Sequence, residues 1–227
     1  MRKHWMIAVA CAAAFAACSR APTQTQTQTT QTTEAVRVAC PQLAVIAAGG
    51  ESHCGVALTA DAVVTLDGAP MLEGAPLIVT SGVERRAQSL MVYPTPGGRF
   101  VYVRGCEGPA DEPGLCWRSL ILDRDGPIAR DFTPRSHYGP SRDIFWSPDG
   151  ERFAIIEPME SYEALTLVNP ETASMASHPA EGGVENWRVE ESSIRWTGNR
   201  ELTANVEICN GDTGACAAAA PRAFTAD

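Results

Sequence analysis

Between residues 143 and 156, apolar side chains fall on alternate positions either side of a Ser147-Pro148-Asp149-Gly150 turn. Ile144 and Trp146 precede it; Phe153 and Ile155 follow it. A period of two belongs to a β-strand and not to a helix. Pro148 presets φ near about −65° for the second turn position, and Gly150 supplies the conformation other residues avoid. The segment therefore predicts strand, tight turn and strand.

The same arrangement recurs along the chain. Val92-Tyr93-Pro94-Thr95-Pro96-Gly97-Gly98-Arg99-Phe100 gives strand, Pro-Gly turn and strand, one residue shorter after the turn. Ile194-Arg195-Trp196-Thr197-Gly198-Asn199 repeats Ile144-Phe145-Trp146-Ser147-Pro148-Asp149, with Gly198 in place of the proline. Thr95, Ser147 and Thr197 thus recur at a spacing of about 50 residues. Each unit predicts a further strand that ends in a polar turn. These are Leu120-Ile121-Leu122-Asp123, Leu165-Thr166-Leu167-Val168-Asn169 and Val206-Glu207-Ile208-Cys209-Asn210.

Upstream, the apolar run over residues 43–48 fits either a buried strand or a short helix. Residues 62–66 predict a strand entering an Asp67-Gly68 hairpin turn, and residues 76–80 a strand before Ser81-Gly82.

A repeat of this length with several strands in each period is the pattern of propeller blades. Trp146-Ser147-Pro148-Asp149-Gly150 before an apolar strand, then a strand ending in Asn169-Pro170-Glu171-Thr172, resembles the repeat of TolB-type β-propellers. The likeness covers residues 90–217 and is strongest in the middle unit. It implies an all-β fold of antiparallel, propeller-like repeats around a channel, in a family whose domains mostly bind proteins or accompany a separate catalytic domain. Three repeats are clear, and closed propellers need at least about four. Residues 36–85 either add a fourth, degenerate blade or leave the array open, as a partial or small propeller. The competing reading is an unrelated antiparallel β protein with generic Pro-Gly hairpins.

The N-terminus changes the picture by giving an address. Arg2-Lys3-His4 is a positive n-region, and residues 6–17 form an alanine-rich apolar run too short to cross about 30 Å of hydrocarbon, so residues 1–17 read as a signal peptide. Phe15-Ala16-Ala17-Cys18 resembles the lipobox of bacterial lipoproteins, with phenylalanine where leucine is usual. That resemblance implies acylation of Cys18, and Ser19 after it implies the periplasmic face of the outer membrane. Ala8-Val9-Ala10-Cys11 is a looser competitor, and an ordinary secretory signal is the other alternative. Residues 18–35 hold the lipid-bearing cysteine and a Thr/Gln-rich tract without apolar side chains to bury, a tether reaching about 20–25 Å. Residues 36–227 form the β-repeat domain.

The formal net charge of the 227-residue chain is −9, and no basic run lies outside the first residues, which disfavours nucleic acid as a partner. Beyond Cys18 the remaining six cysteines form an even set, and in an exported chain disulfides are the default. Cys106 and Cys116 flank one polar loop between strands, and Cys209 and Cys216 flank another, so each pair staples a hairpin. Cys40 and Cys54 pair by elimination. None forms Cys-x-x-Cys.

Other chemistry is thinly represented. His53, His137 and His178 have no spaced metal partner. Asp123-Arg124-Asp125-Gly126 and Asn210-Gly211-Asp212-Thr213-Gly214 resemble calcium loops but lack the downstream glutamate, and turns want the same residues. No Gly-x-Ser-x-Gly is present, Ser81, Ser136 and Ser141 carry no local signature, and no glycine-rich phosphate cradle implies a cofactor. His137-Tyr138-Gly139-Pro140 and Trp187 fall on inter-repeat connections that can line a propeller mouth. Glu157-Pro158-Met159-Glu160 and residues 181–191 read as solubilising acidic surface. The expected function is a lipid-anchored, non-catalytic binding or scaffold module with an envelope protein as partner. The alternative is a periplasmic hydrolase using loops on one rim.

Overall fold

In a computed structural model of the chain, the unit that begins at Val36 is described over residues 39–71, 77–80, 83–126, 128–136, 143–160, 162–179 and 185–226. Those residues are all-β, with no α-helix among them. Before the repeats come β1 (Ala44–Ala47), β2 (Val56–Leu58), β3 (Val64–Leu66), β4 (Ala69–Pro70), β5 (Leu77–Thr80) and β6 (Val83–Arg86). The first repeat supplies β7 (Ser89–Val92), β8 (Phe100–Cys106), β9 (Cys116–Asp123) and β10 (Ile128–Phe132). The second supplies β11 (Phe145–Trp146), β12 (Phe153–Pro158), β13 (Glu163–Asn169) and β14 (Ser174–His178). The third supplies β15 (Glu185–Val189), β16 (Arg195–Trp196), β17 (Glu201–Asn210) and β18 (Ala220–Thr225), with a 3-10 turn over Glu191–Ser193.

The first two repeats each build one antiparallel sheet in chain order, as the alternating patterns require. β7 to β10 follow one another, with β1 added beside β7, and β11 to β14 do the same. The ambiguous run at residues 43–48 is therefore a strand, because β7 offers it an edge to pair with. Residues 36–85 do not make one sheet of their own. β1 joins the first repeat, while β2-β3-β4 and β5-β6 form separate small sheets.

The third repeat differs from its sequence expectation. Val206-Glu207-Ile208-Cys209 is not the counterpart of β9 and β13 but the second half of β17, which runs unbroken from Glu201. β15 and β16 both pair with one edge of β17, and β18 takes the place of β9 and β13 on the other edge. Polar Thr203, Asn205 and Glu207 interrupted the apolar run and hid the length of the strand.

The turn lengths also shift. The hydroxyls of Thr95, Ser147 and Thr197 reach the carbonyls of Phe100, Arg152 and Glu201 at 3.1, 3.0 and 3.3 Å. The strand register thus aligns Phe100 with Arg152. The first two turns have equal length, and the third is the shorter one.

Three apolar layers join four sheets in series. On β8, Val101 and Val103 face Val56, Leu58, Val64 and Leu66 of the β2-β3-β4 sheet. The alternate residues Phe100 and Tyr102 face Phe153, Ile155 and Val168 of the second repeat. The other side of β12 and β13, through Ala154, Ile156, Leu165 and Leu167, packs on Trp187, Val189, Leu202, Val206 and Phe224 of the third. The two middle sheets are covered on both faces, so their strands read as continuous apolar runs such as Phe153-Ala154-Ile155-Ile156. The end sheets expose polar or small outer positions, Ala57 and Thr65 at one end and Thr203, Asn205 and Glu207 at the other.

Tryptophans repeat with the sheets. The Trp146 indole N–H donates to the Pro94 carbonyl at 2.9 Å, and that of Trp196 donates to the Phe145 carbonyl at 3.0 Å. The first bond reaches back to the segment just after β7, and the second to the edge strand β11 of the preceding repeat. A backbone carbonyl that faces a neighbouring sheet needs a donor, and the indole supplies it. Trp146→Phe keeps most of the ring contact with Phe153 but orphans that carbonyl. We expect a loss of about 1–2 kcal/mol in urea unfolding, and Trp196→Phe should cost a similar amount.

Candidate functional site

Cys18, on which the lipid anchor depends, lies outside the described residues, as do Ser81, His137, Tyr138, Gly139, Pro140 and Ser141. The six later cysteines form Cys40–Cys54, Cys106–Cys116 and Cys209–Cys216. The second and third bridges join residues facing each other across a β-ladder, with Cα atoms 3.9 Å apart in both. Cross-links over loops this short restrict the unfolded chain by about 2.5–3 kcal/mol each. Two groups bring possible metal ligands together, Cys40 with His53 and Cys54, and Glu207 with Cys209 and Cys216. In both, the sulfurs are spent in a disulfide and offer no thiolate to an ion.

At the end of the stack that carries the Pro-Gly turns, the turns of the first two repeats touch. A side chain on Gly98 would meet the Gly150 carbonyl at 3.5 Å. Gly150, at φ +70°, accepts the backbone conformation that closes the turn onto the Ser147 carbonyl at 2.9 Å. Beside these turns, Arg99 grips Asp123 through Nε and Nη2, both at 2.8 Å, and Arg130 adds a contact at 3.3 Å. The Asp125 N–H donates to the same carboxylate at 3.0 Å.

Asp123 is 1% exposed. Burial alone pushes its carboxyl up, but the Arg99 hydrogen bonds, the Asp125 N–H and Arg130 outweigh that and hold it below the usual carboxylate range. Guanidinium groups thus fill the place a calcium ion would need. In the other loop, Asn210 Oδ1 accepts from the N–H groups of Asp212 and Thr213 at 2.9 and 3.0 Å, which is turn chemistry.

The opposite end of the stack holds what the sequence hid. Glu157, expected on an acidic surface, is fully buried. It ends β12 on the face turned to the first repeat, so its position on the strand decides its environment. The carboxylate accepts the Ser136 N–H at 2.8 Å and the Thr166 hydroxyl, and Thr166 also contacts Ser177 at 2.8 Å. Arg104 is buried on the facing strand β8, beside Tyr93, and the Tyr102 hydroxyl donates to Ser119 at 2.8 Å. Burial raises both tyrosine hydroxyls above their ordinary range, so both stay protonated. A strand that ends Ile155-Ile156-Glu157 gives one signal of this, an acid continuing the inward alternation.

Of the candidate catalytic residues, Ser136 is buried and its hydroxyl donates to the Pro158 carbonyl at 2.5 Å. That hydrogen bond and the one to Glu157 clasp the connection after β10 onto β12. His178 on β14 is half-buried, with its ring 5.1 Å from Phe224 and 6.4 Å from Trp187. Burial lowers its pKa from the usual value. Trp187, expected at a rim, is a core residue of β15 and 5% exposed. Its strand pairs with β17 and turns the indole into the layer between the second and third repeats. His53 lies against the first disulfide, with Nε2 3.3 Å from Cys40 Sγ. No protein-family description matches this sequence, and no curated protein matches it.

Two outcomes follow from these buried acids. An aspartate in an unfolded chain titrates near about 3.9, and the folded Asp123 titrates lower. Its stabilisation is therefore complete above that pH and is lost as pH falls through the folded value. Asp123→Asn should cost about 2 kcal/mol at pH 7 and shrink the drop in stability between pH 5 and pH 3, read by urea unfolding at each pH. Glu157→Ala removes the acceptor of the Ser136 N–H and of the Thr166 hydroxyl in the interior. A loss of about 2–4 kcal/mol in the same assay is expected, with Glu157→Gln milder.

Proposed function

We propose that this chain is a lipid-anchored envelope lipoprotein whose β domain is a non-catalytic module that binds or scaffolds an envelope protein. The domain is read as a partial, TolB-like propeller held at the periplasmic face of the outer membrane by acylated Cys18 and the Thr/Gln-rich tether. The observation that carries the reading is the serial stack, with sheet joined to sheet by an apolar layer and, between successive repeats, by a tryptophan–carbonyl hydrogen bond. Such a frame holds its turns and connecting loops in fixed positions, and loops on a rigid frame are where recognition is built. Small or polar, half-buried outer positions on both end sheets favour the open form over a ring. Three disulfides in a domain of this size fit an exported, oxidising compartment.

Two measurements test the halves separately. Mass spectrometry of the mature protein is expected to find an acylated Cys18 at the N-terminus; an unmodified, soluble chain defeats the anchor. A photo-cross-linker placed near Asp149 or Asp111 should trap one envelope protein in intact cells. Hydrolysis in an esterase or peptidase panel that is lost in Ser136→Ala, with the fold retained, would replace the scaffold reading with the enzymatic one.

A further inference from the structure

The Cys40–Cys54 bridge differs from the other two in what lies against it. His53 Nε2 sits 3.3 Å from Cys40 Sγ and 3.1 Å from the Gln42 carbonyl. A disulfide sulfur and a carbonyl oxygen both lack a proton, so Nε2 must carry the hydrogen and donate to both. Against the other two bridges lie backbone carbonyls, that of Arg104 at 3.7 Å from Cys106 Sγ and that of Gly214 at 3.6 Å from Cys216 Sγ. The two sulfurs of the first bridge are also unequal. Cys40 is fully buried, and Cys54 is half-buried.

The backbone at Cys54 is held in a costly conformation. His53 and Val56 exchange hydrogen bonds at 2.9 Å in both directions, and the two residues between them turn the chain. Cys54 takes φ +54° and Gly55 φ +80°, as a tight hairpin turn of this kind requires. For a residue with a Cβ that conformation costs about 1–2 kcal/mol. A side chain on Gly55 would collide with the Asp67 carboxylate at 2.1 Å. Arg124 fixes the turn, pairing with Asp67 and donating to the Cys54 carbonyl at 2.9 Å. Strained residues persist where the surroundings over-determine them, and they cluster at reactive positions.

We propose that Cys40–Cys54 is a site of thiol–disulfide exchange with a dithiol reductant, entered at the Cys54 sulfur, with His53 assisting the departure of Cys40. The reductant's thiolate attacks Cys54 Sγ and forms a mixed disulfide. The Cys40–Cys54 bond breaks and its electron pair leaves on Cys40 Sγ, which accepts the hydrogen bond from His53 Nε2. The second thiolate of the reductant then closes its own disulfide and expels Cys54 as thiolate. The protein gains two electrons and two protons, and the dithiol is oxidised to its disulfide. A leaving sulfur departs faster as its thiolate is better stabilised, and a donor held in place before the reaction provides that stabilisation. His53 is a positioning residue here, acting on the sulfur that leaves. The backbone bonds of Cys40 to Thr95, at 2.8 and 2.9 Å, do not involve the bridge, so the first sheet keeps its edge when the bridge opens.

The test uses the oxidised full-length chain at pH 7, with acid quenching, alkylation and peptide mass spectrometry. With glutathione, a monothiol that traps the first step, the adduct is expected on Cys54; an adduct mainly on Cys40 overturns the proposal without any variant. With dithiothreitol, His53→Ala should slow the appearance of Cys40 and Cys54 thiols about tenfold. Reduction of Cys209–Cys216 in the same molecules, where Cys216 is exposed, should proceed at the unchanged rate. His53→Gln, which keeps an N–H donor on a side chain of similar reach, should recover most of the rate. Wild-type rates in His53→Ala would mean the histidine plays no part in the exchange, and a slowed His53→Ala with no recovery in His53→Gln would mean that it does not act by donating to the leaving sulfur.

Discussion

Phe153, Ala154, Ile155 and Ile156 are four successive buried residues on one strand, and a strand sends successive side chains to opposite faces. The second repeat therefore cannot be satisfied by a partner on one side; it needs apolar cover on both. The first repeat carries the same demand in Phe100, Val101, Tyr102 and Val103. Two such sheets, each requiring two neighbours, generate a row, and the row ends where a sheet's outer positions are small or polar. The β2-β3-β4 sheet and the third repeat meet that condition. This requirement for two-sided cover sets the order of the whole unit.

Apolar layers alone would let sheets slide or rotate over one another. The polar contacts restrict that freedom. The indoles of Trp146 and Trp196 pin each sheet to the backbone of the one before, and the touching turns at Gly98 and Gly150 set the spacing at one end. At that end Arg99 also reaches Glu171 of the next repeat, at 3.4 Å and in a more exposed setting, so the contact contributes little by itself. At the other end Glu157 gathers a backbone N–H and a hydroxyl from the elements around it. An uncompensated acid there would oppose folding, and a satisfied one fixes the strand end and the incoming connection together. The disulfides act on a more local scale, closing hairpins and the entry to the first sheet.

Much of the fold was legible because turn chemistry and strand period are local properties. The turn at Ser147, the hairpin at Asp67-Gly68, the strands β9 and β13, and the cysteines flanking hairpin loops all follow from residues a few positions apart. Other features depend on partners distant in the chain. Glu157 looked like surface because its neighbours Pro158 and Glu160 are polar, yet its burial is set by sheets that meet it from elsewhere. Trp187 looked like a rim residue because it follows an acidic connection, and pairing with β17 turned it inward. The true length of β17 was hidden because its outer face is the polar end of the row, where alternation replaces a continuous apolar run. His53 beside Cys40 was signalled only indirectly, since the Cys40–Cys54 pair brings the neighbour of Cys54 near the bridge without deciding where its ring lies.

The sequence by itself determined where the Pro-Gly turns fall, that strands flank them, that the pattern recurs, and which cysteines flank loops short enough to close. These depend on φ preferences, on the two-residue period and on loop length, all carried by neighbouring residues. Tertiary structure decided which faces were covered, how the sheets lie in series, and which acids and rings became interior. It also set the histidine against a single disulfide. Those outcomes depend on surfaces brought together from distant segments, and no local pattern encodes what will stand on the far side of a sheet.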